Sequence, residues 1–183
     1  MHAVLVMEMQ KDVIPKGSPV EIGEMGRAIV PNIQKILDAA RERKVPLIYA
    51  NLCSIPGDPL FKKWPVAHCV PGTPGIEVID ELKPKDGDYV VHIYAMNAFL
   101  HTDLEHILRA LGVATLIMTG ISTDASCLLT AMEAFQRWFD VIMVSDCCAS
   151  WNEERHQRGL NYLKPFTKIL NSEEVIRLLK GDV

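Results

Sequence analysis

The stretch Gly120-Ile-Ser-Thr-Asp-Ala-Ser126-Cys127-Leu-Leu-Thr130 sets a hydroxyl beside a thiol at a place suited to nucleophilic chemistry. The apolar run ahead of it, residues 114–119, predicts a buried strand, and residues 124–139 predict a helix. Ser126 and Cys127 then fall in the first turn of a helix that starts at the carboxyl end of a strand, where open α/β sheets place their chemistry. Backbone N–H groups and the positive end of the helix dipole stabilise a thiolate or an oxyanion there. The two side chains imply different chemistry, because a serine hydroxyl stays protonated at neutral pH and needs a base beside it. One helical step turns a side chain by about 100°, so the two cannot face the same spot.

The elements that must position this loop read as alternating strands and helices. Strands are predicted at residues 3–7, 47–50, 89–94, 114–119, 141–144 and 167–170. A helix over 27–43 puts Ile29, Ile33, Ile36, Leu37 and Ala40 on one face, with Pro31 in its first turn or kinking it. A helix over 102–111 is capped by Thr102 with Glu105 three residues on, and ends at Gly112. Asn152 caps a helix to about Leu163, which Pro165 ends, and Ser172 caps the last helix through Leu179. Near-continuous apolar strands separated by helices imply a parallel sheet covered on both faces. The expected fold is α/β: a three-layer α/β/α Rossmann-like sandwich with a six-stranded parallel sheet, one domain over residues 1–183. Residues 52–76 break the rhythm with five prolines and three glycines, and should form a loop walling the carboxyl ends of the strands.

Composition narrows the function classes. The chain has 183 residues, 49% apolar and 23% charged, with a net charge of -4. It therefore offers no basic face for nucleic acid, and no run approaches the ~20 apolar residues of a membrane span. No Gly-x-Gly-x-x-Gly follows a strand, which disfavours a dinucleotide. The start of the chain reads as a strand, without a basic leader, and five cysteines (an odd number) suit a reduced, cytoplasmic setting. Cys147-Cys148 reads as a buried pair of small apolar residues.

Four segments in order resemble the isochorismatase-like, or cysteine hydrolase, superfamily. They are Val6-Met-Glu-Met-Gln-Lys-Asp-Val13, Trp64-Pro-Val-Ala-His-Cys-Val-Pro-Gly-Thr73, Asn97-Ala-Phe-Leu-His-Thr-Asp-Leu104 and Gly120 through Thr130. Ser145-Asp-Cys-Cys-Ala149 followed by Glu154-Arg-His156 also looks like that family's stretch after its fifth strand. The resemblance spans the chain and implies a small-molecule site and a homo-oligomer. It further implies a triad in which an Asp takes the proton of a Cys nucleophile and a Lys stabilises charge, with a cis peptide (here Ile121-Ser122) turning an N–H toward the oxyanion.

Mapped onto that pattern, all three triad positions differ. Glu8 stands for the Asp, Ile93 for the Lys and Ser126 for the Cys. Glu8 keeps a carboxylate but shifts it by roughly 1.5 Å, one C–C bond, and misplacement on that scale can cost about a hundredfold in rate. Ile93 can neither donate a proton nor carry charge. Cys127 is a backup nucleophile, although the matching family position is apolar and faces the core. His92 and Tyr94 flank Ile93 on the opposite sheet face and should pack under a neighbouring helix, while Lys62 and Lys63 read as a solvated pair.

Ser122, Asn97, Phe99 and Trp64 are the binding candidates by resemblance. No cofactor is expected. A divalent metal, which some relatives hold, would fall to Asn51, Cys53 and His68, a weak donor set. Two readings stay open: a hydrolase of a C–N amide or related bond with Glu8 as base and Ser126 in the nucleophile position, or a catalytically silent member that binds a small ligand or a protein partner.

Overall fold

The computed structural model describes residues 1–63 and 66–182, those at 60 and 61 through their backbone only. The strands are β1 (His2–Met7), β2 (Leu47–Leu52), β3 (Tyr89–Ile93), β4 (Thr115–Ile121), β5 (Asp140–Ala149) and β6 (Lys168–Leu170). All neighbouring pairs are parallel, in the order β3-β2-β1-β4-β5-β6. This is the expected six-stranded parallel α/β sheet. The helices are α1 (Glu24–Ala28), α2 (Val30–Glu42), α3 (Pro59–Lys63), α4 (Leu104–Ala110), α5 (Ser126–Gln136), α6 (Glu153–Leu163) and α7 (Ser172–Lys180). None of the described helices is long and apolar enough to cross a membrane.

The strands bury both faces because their alternate residues feed two separate cores. Val4 and Val6 of β1 join Ile33, Ile36 and Leu37 of α2 and Val175 of α7 on one side. Ala3, Leu5 and Met7 join Leu104 and Leu108 of α4, Cys127 and Ala131 of α5 and Leu163 of α6 on the other. Each buried Leu or Ile side chain contributes about 1.5–3 kcal/mol relative to exposure, so the alternation pins the strand register. Strand order reverses at β1, with β2 on one side and β4 on the other. Their carboxyl ends meet at this switch point, the usual ligand crevice of an open α/β sheet.

Several local expectations are corrected. The predicted helix over 27–43 is two helices meeting at Ile29, with Pro31 in the first turn of α2. The fifth strand runs on to Ala149, because Cys147 and Cys148 alternate between the two cores, and Cys148 and Ala149 continue the pairing opposite Gly120 and Ile121. Both cysteines are free and buried. The helix predicted from residue 124 starts at Ser126, since Ser122 O accepts the N–H groups of Ala125 (3.1 Å) and Cys127 (3.0 Å) in a preceding turn.

Thr102 accepts the N–H of Leu104 (3.3 Å) and donates to Ala98 O (2.6 Å), but Glu105 closes no capping box and instead pairs with Arg137. At α7 the cap is Asn171, boxed with Glu174. Ser172 is claimed by Asp146, to which it donates through both its N–H (2.7 Å) and its hydroxyl (2.6 Å).

Candidate functional site

Glu8 leaves β1 in the left-handed region, with φ 53°, a conformation that costs energy for a residue with a Cβ and often marks a functional position. The surroundings hold it there. Its N–H donates to Ala50 O (2.9 Å), and Gln10 N–H donates to Glu8 O (2.9 Å). The fully buried Gln10 side chain then donates to Leu52 O (2.8 Å) and Ile76 O (2.9 Å) and accepts Leu52 N–H (2.7 Å). Across the sheet, Gly120 (φ 102°) pairs with Met7, and a Cβ there would collide with the Met7 carbonyl. Only glycine lets β4 pass this close to the residue before the carboxylate.

The turn that carries Ser122 and Ser126 is locked from behind. Asp124 accepts the Ser150 hydroxyl (2.5 Å) and Arg155 Nε (2.7 Å), and Thr123 Oγ1 lies 2.8 Å from His156 Nδ1. Gly159 of α6 lies flat against this turn, and a Cβ on it would stand 2.8 Å from Thr123 O. The Ile121-Ser122 peptide is cis.

These pieces enclose a small cleft that is open to solvent on one side. Its polar lining is Glu8, Ser122, Ser126 and His68; its apolar lining is Val13, Val20, Leu52, Met96, Ile121 and Trp151. Glu8 and both serines are buried. Burial pushes the Glu8 carboxyl up to about 7, against a smaller opposing pull from its hydrogen bond with Ser126. A carboxyl poised near neutrality beside a hydroxyl can accept that hydroxyl's proton, or a water's, and return it to a leaving group. Glu8 Oε1 is buried and has no hydrogen-bond partner.

The remaining candidates separate. Ile93 has no exposed surface and packs in the core beside Val91, Ala98 and Phe99. Cys127 is equally buried on that side, facing Cys148, and burial drives its thiol far above the ordinary range. Phe99 does not line the cleft: it stacks on Phe139 (ring centroids 6.1 Å apart) with the Arg137 guanidinium over its ring. Asn97 does not line it either, since its Oδ1 accepts Phe99 N–H (3.0 Å) in a local turn. That turn is drawn inward because Thr130 accepts Ala98 N–H (3.0 Å), which turns residues 98–99 into the core. Trp64 lies outside the described residues.

His92 and Tyr94 are exposed, contrary to the packed positions expected, because β3 is the sheet edge while the helices of that face lie over β2 and β5. Lys62 and Lys63 are solvent-facing. Sequence reading missed Met96, Val13, Val20 and Trp151 as cleft walls. Only Trp151 carried a signal, as an aromatic just past the carboxyl end of a strand.

The residues proposed for a divalent ion do not fit one. Burial raises the Cys53 thiol to about 11, leaving an uncharged sulfur whose neighbour is Asn51 O at 3.7 Å. His68 has Ser54 Oγ 3.1 Å from Nε2 and Val66 O 2.6 Å from Nδ1, and Asn51 supplies only a neutral amide. Among the described residues no three His, Cys, Asp or Glu side chains converge.

Comparison with known proteins agrees with the geometry. The isochorismatase domain profile matches residues 2–174. The isochorismatase family protein YwoC of Bacillus subtilis is 28% identical over 97% of this chain and 94% of its own. An isochorismatase-like hydrolase from Alkaliphilus metalliredigens superimposes with a TM-score of 0.92, at 34% identity, over 97% of this chain and 98% of that one. A pyrazinamidase of Pyrococcus horikoshii, solved in complex with zinc, superimposes at 0.86 with 25% identity over 93% of this chain and 98% of that one. The chain belongs to the isochorismatase family.

Proposed function

We propose that the protein is a hydrolase acting on a small molecule at a C–N amide or related bond, with Glu8 as general base and Ser126 in the nucleophile position. The observation that carries this reading is the buried Glu8 carboxyl, which lines the same cleft as Ser126 and is raised to about 7 by burial. In the forward step Glu8 takes a proton as the oxygen of Ser126, or of a water held by it, bonds to the substrate carbonyl carbon. Glu8 then returns the proton to the nitrogen as the C–N bond breaks. No Lys or Arg lines the cleft among the described residues, whereas the family resemblance implies a lysine there. Standard family substrates such as nicotinamide, N-carbamoyl amino acids and isochorismate should therefore turn over slowly.

The test is ammonia release from a panel of small amides by the wild-type protein, Glu8→Ala and Ser126→Ala. The reading expects one amide whose hydrolysis both substitutions abolish, with a rate that rises as pH climbs through about 7, where Glu8 ionises. Activity that survives Glu8→Ala would refute the assignment. The position of Ile93, whose aliphatic side chain sits in the core where charge support is expected, favours a second reading. In it the family site is kept for binding a small ligand or a protein partner without chemistry, and no amide in the panel is consumed.

A further inference from the structure

Glu8 Oε1 is the least satisfied polar atom of the cleft. It is buried, it has no hydrogen-bond partner, and the carboxyl it belongs to lines the cavity. A buried acceptor left bare is destabilising, and more so when it is charged. Among the described residues no cation pairs with it. Among the described lining residues there is no Lys or Arg, and Lys62 and Lys63 face solvent. Arg155 stands 4.8 Å over the Trp151 ring at the cleft wall, but its Nε is bonded to Asp124 Oδ2 at 2.7 Å. The other nearby acid, Asp12, adds negative charge and is occupied by Cys69 N–H (2.7 Å).

The cleft thus presents one uncompensated carboxyl at the base of hydrocarbon walls. An anionic ligand would meet like charge there, whereas a neutral N–H would only donate a hydrogen bond to the carboxyl. An ammonium would also neutralise the carboxylate, making a charge-assisted bond about twice as strong as a neutral one.

We infer that this cleft selects small apolar molecules bearing a primary ammonium group, docked on the Glu8 carboxyl with their hydrocarbon part against Val13, Val20, Met96 and Trp151. The inference rests on the reading of this cleft as the functional site and adds the charge class of its ligand. In that arrangement the ligand supplies the positive charge that Ile93 cannot. Ser126 remains the carboxyl's second neighbour.

The experiment uses three probes of one shape but different charge, benzylammonium, benzamide and benzoate, titrated calorimetrically into the wild-type protein and Glu8→Gln at about pH 8. The expected order is benzylammonium first, by about tenfold or more over benzamide, with benzoate weakest. Glu8→Gln should cost benzylammonium about tenfold and leave benzamide within about threefold. Benzoate binding as well as benzylammonium, no measurable benzylammonium binding, or benzylammonium affinity unchanged in Glu8→Gln would each overturn the inference. Because the wild-type series alone tests the charge order, the result does not depend on the variant folding. Glu8-dependent benzylammonium binding without ammonia release from any amide would refute hydrolysis and leave the ligand class standing. Amide turnover without benzylammonium binding would do the reverse.

Discussion

Glu8→Gln should stabilise the protein, and by an amount that grows with pH. Burial raises the Glu8 carboxyl from 4.5 to about 7 in the folded state, the hydrogen bond with Ser126 opposing that rise. Between those values the unfolded chain has released its proton while the folded protein still holds it. The contribution of this group is therefore fully present below the unfolded value and is lost as pH rises through the folded one. With these two values, the Glu8 contribution falls by about 2–3 kcal/mol between about pH 5 and pH 8. Glutamine does not titrate, so the stability gap between variant and wild type should widen by that amount over the same range. Any cost of a poorly partnered amide is independent of pH and drops out of the difference.

Urea denaturation followed by tryptophan fluorescence and circular dichroism at several pH values measures the gap directly. In thermal scans it corresponds to about 5–10 °C of relative shift for a chain of this length. A gap that stays flat within about 0.5 kcal/mol would show that Glu8 is not the dry, uncompensated carboxyl described here, and both the base assignment and the ammonium inference would lose their footing. Stabilisation together with loss of activity would instead mark Glu8 as a residue kept for function at a cost in stability.

Two further outcomes test the frame around the cleft. Asp124→Asn should cost about 2–4 kcal/mol at neutral pH by stranding Arg155 and the Ser150 hydroxyl. Although burial works against it, hydrogen bonds from Ser150 and Arg155 hold the Asp124 carboxyl below 3.8, so its contribution is lost as pH falls through that lowered value; a deficit unchanged in acid would refute the pairing. Cys127, buried against Cys148 with its thiol held protonated by burial, should resist iodoacetamide in the folded protein and react fully in urea. Rapid, selective alkylation of Cys127 in the native state would put it in the cleft and revive a thiol mechanism.

The fold was legible because burial on both faces leaves a strong mark. Six short apolar runs alternating with amphipathic stretches admit few arrangements, and the sheet is six-stranded and parallel as expected. What the sequence hid was local competition for hydrogen bonds. Ser172 and Asn171 are both good caps, and nothing in the sequence reveals that Asp146, 26 residues earlier, takes the serine. The extension of β5 through Asp146 and the cysteine pair was also unreadable, because a polar residue inside an apolar run looks like a strand end until its partner across space is known.

The site was legible in position and less so in role. The family resemblance implied that Glu8 and Ser126 share a site, and both line one cleft, since one follows β1 and the other follows β4, and these strands are neighbours. Spacing could not say that Phe99 and Asn97 would turn away, because that depends on Thr130 capturing the Ala98 N–H across 32 residues. Nor could it assign a consequence to Ile93. In sequence it reads as a missing cation; in three dimensions the aliphatic side chain is absorbed by the core, and the deficit is transferred to Glu8 as a bare oxygen in an apolar cleft. An isolated buried carboxyl is stable only when protonated or when a partner arrives. On the proposed reading, an aliphatic residue where the resemblance implies a lysine makes charge a demand on the ligand, and the benzylammonium series tests that demand.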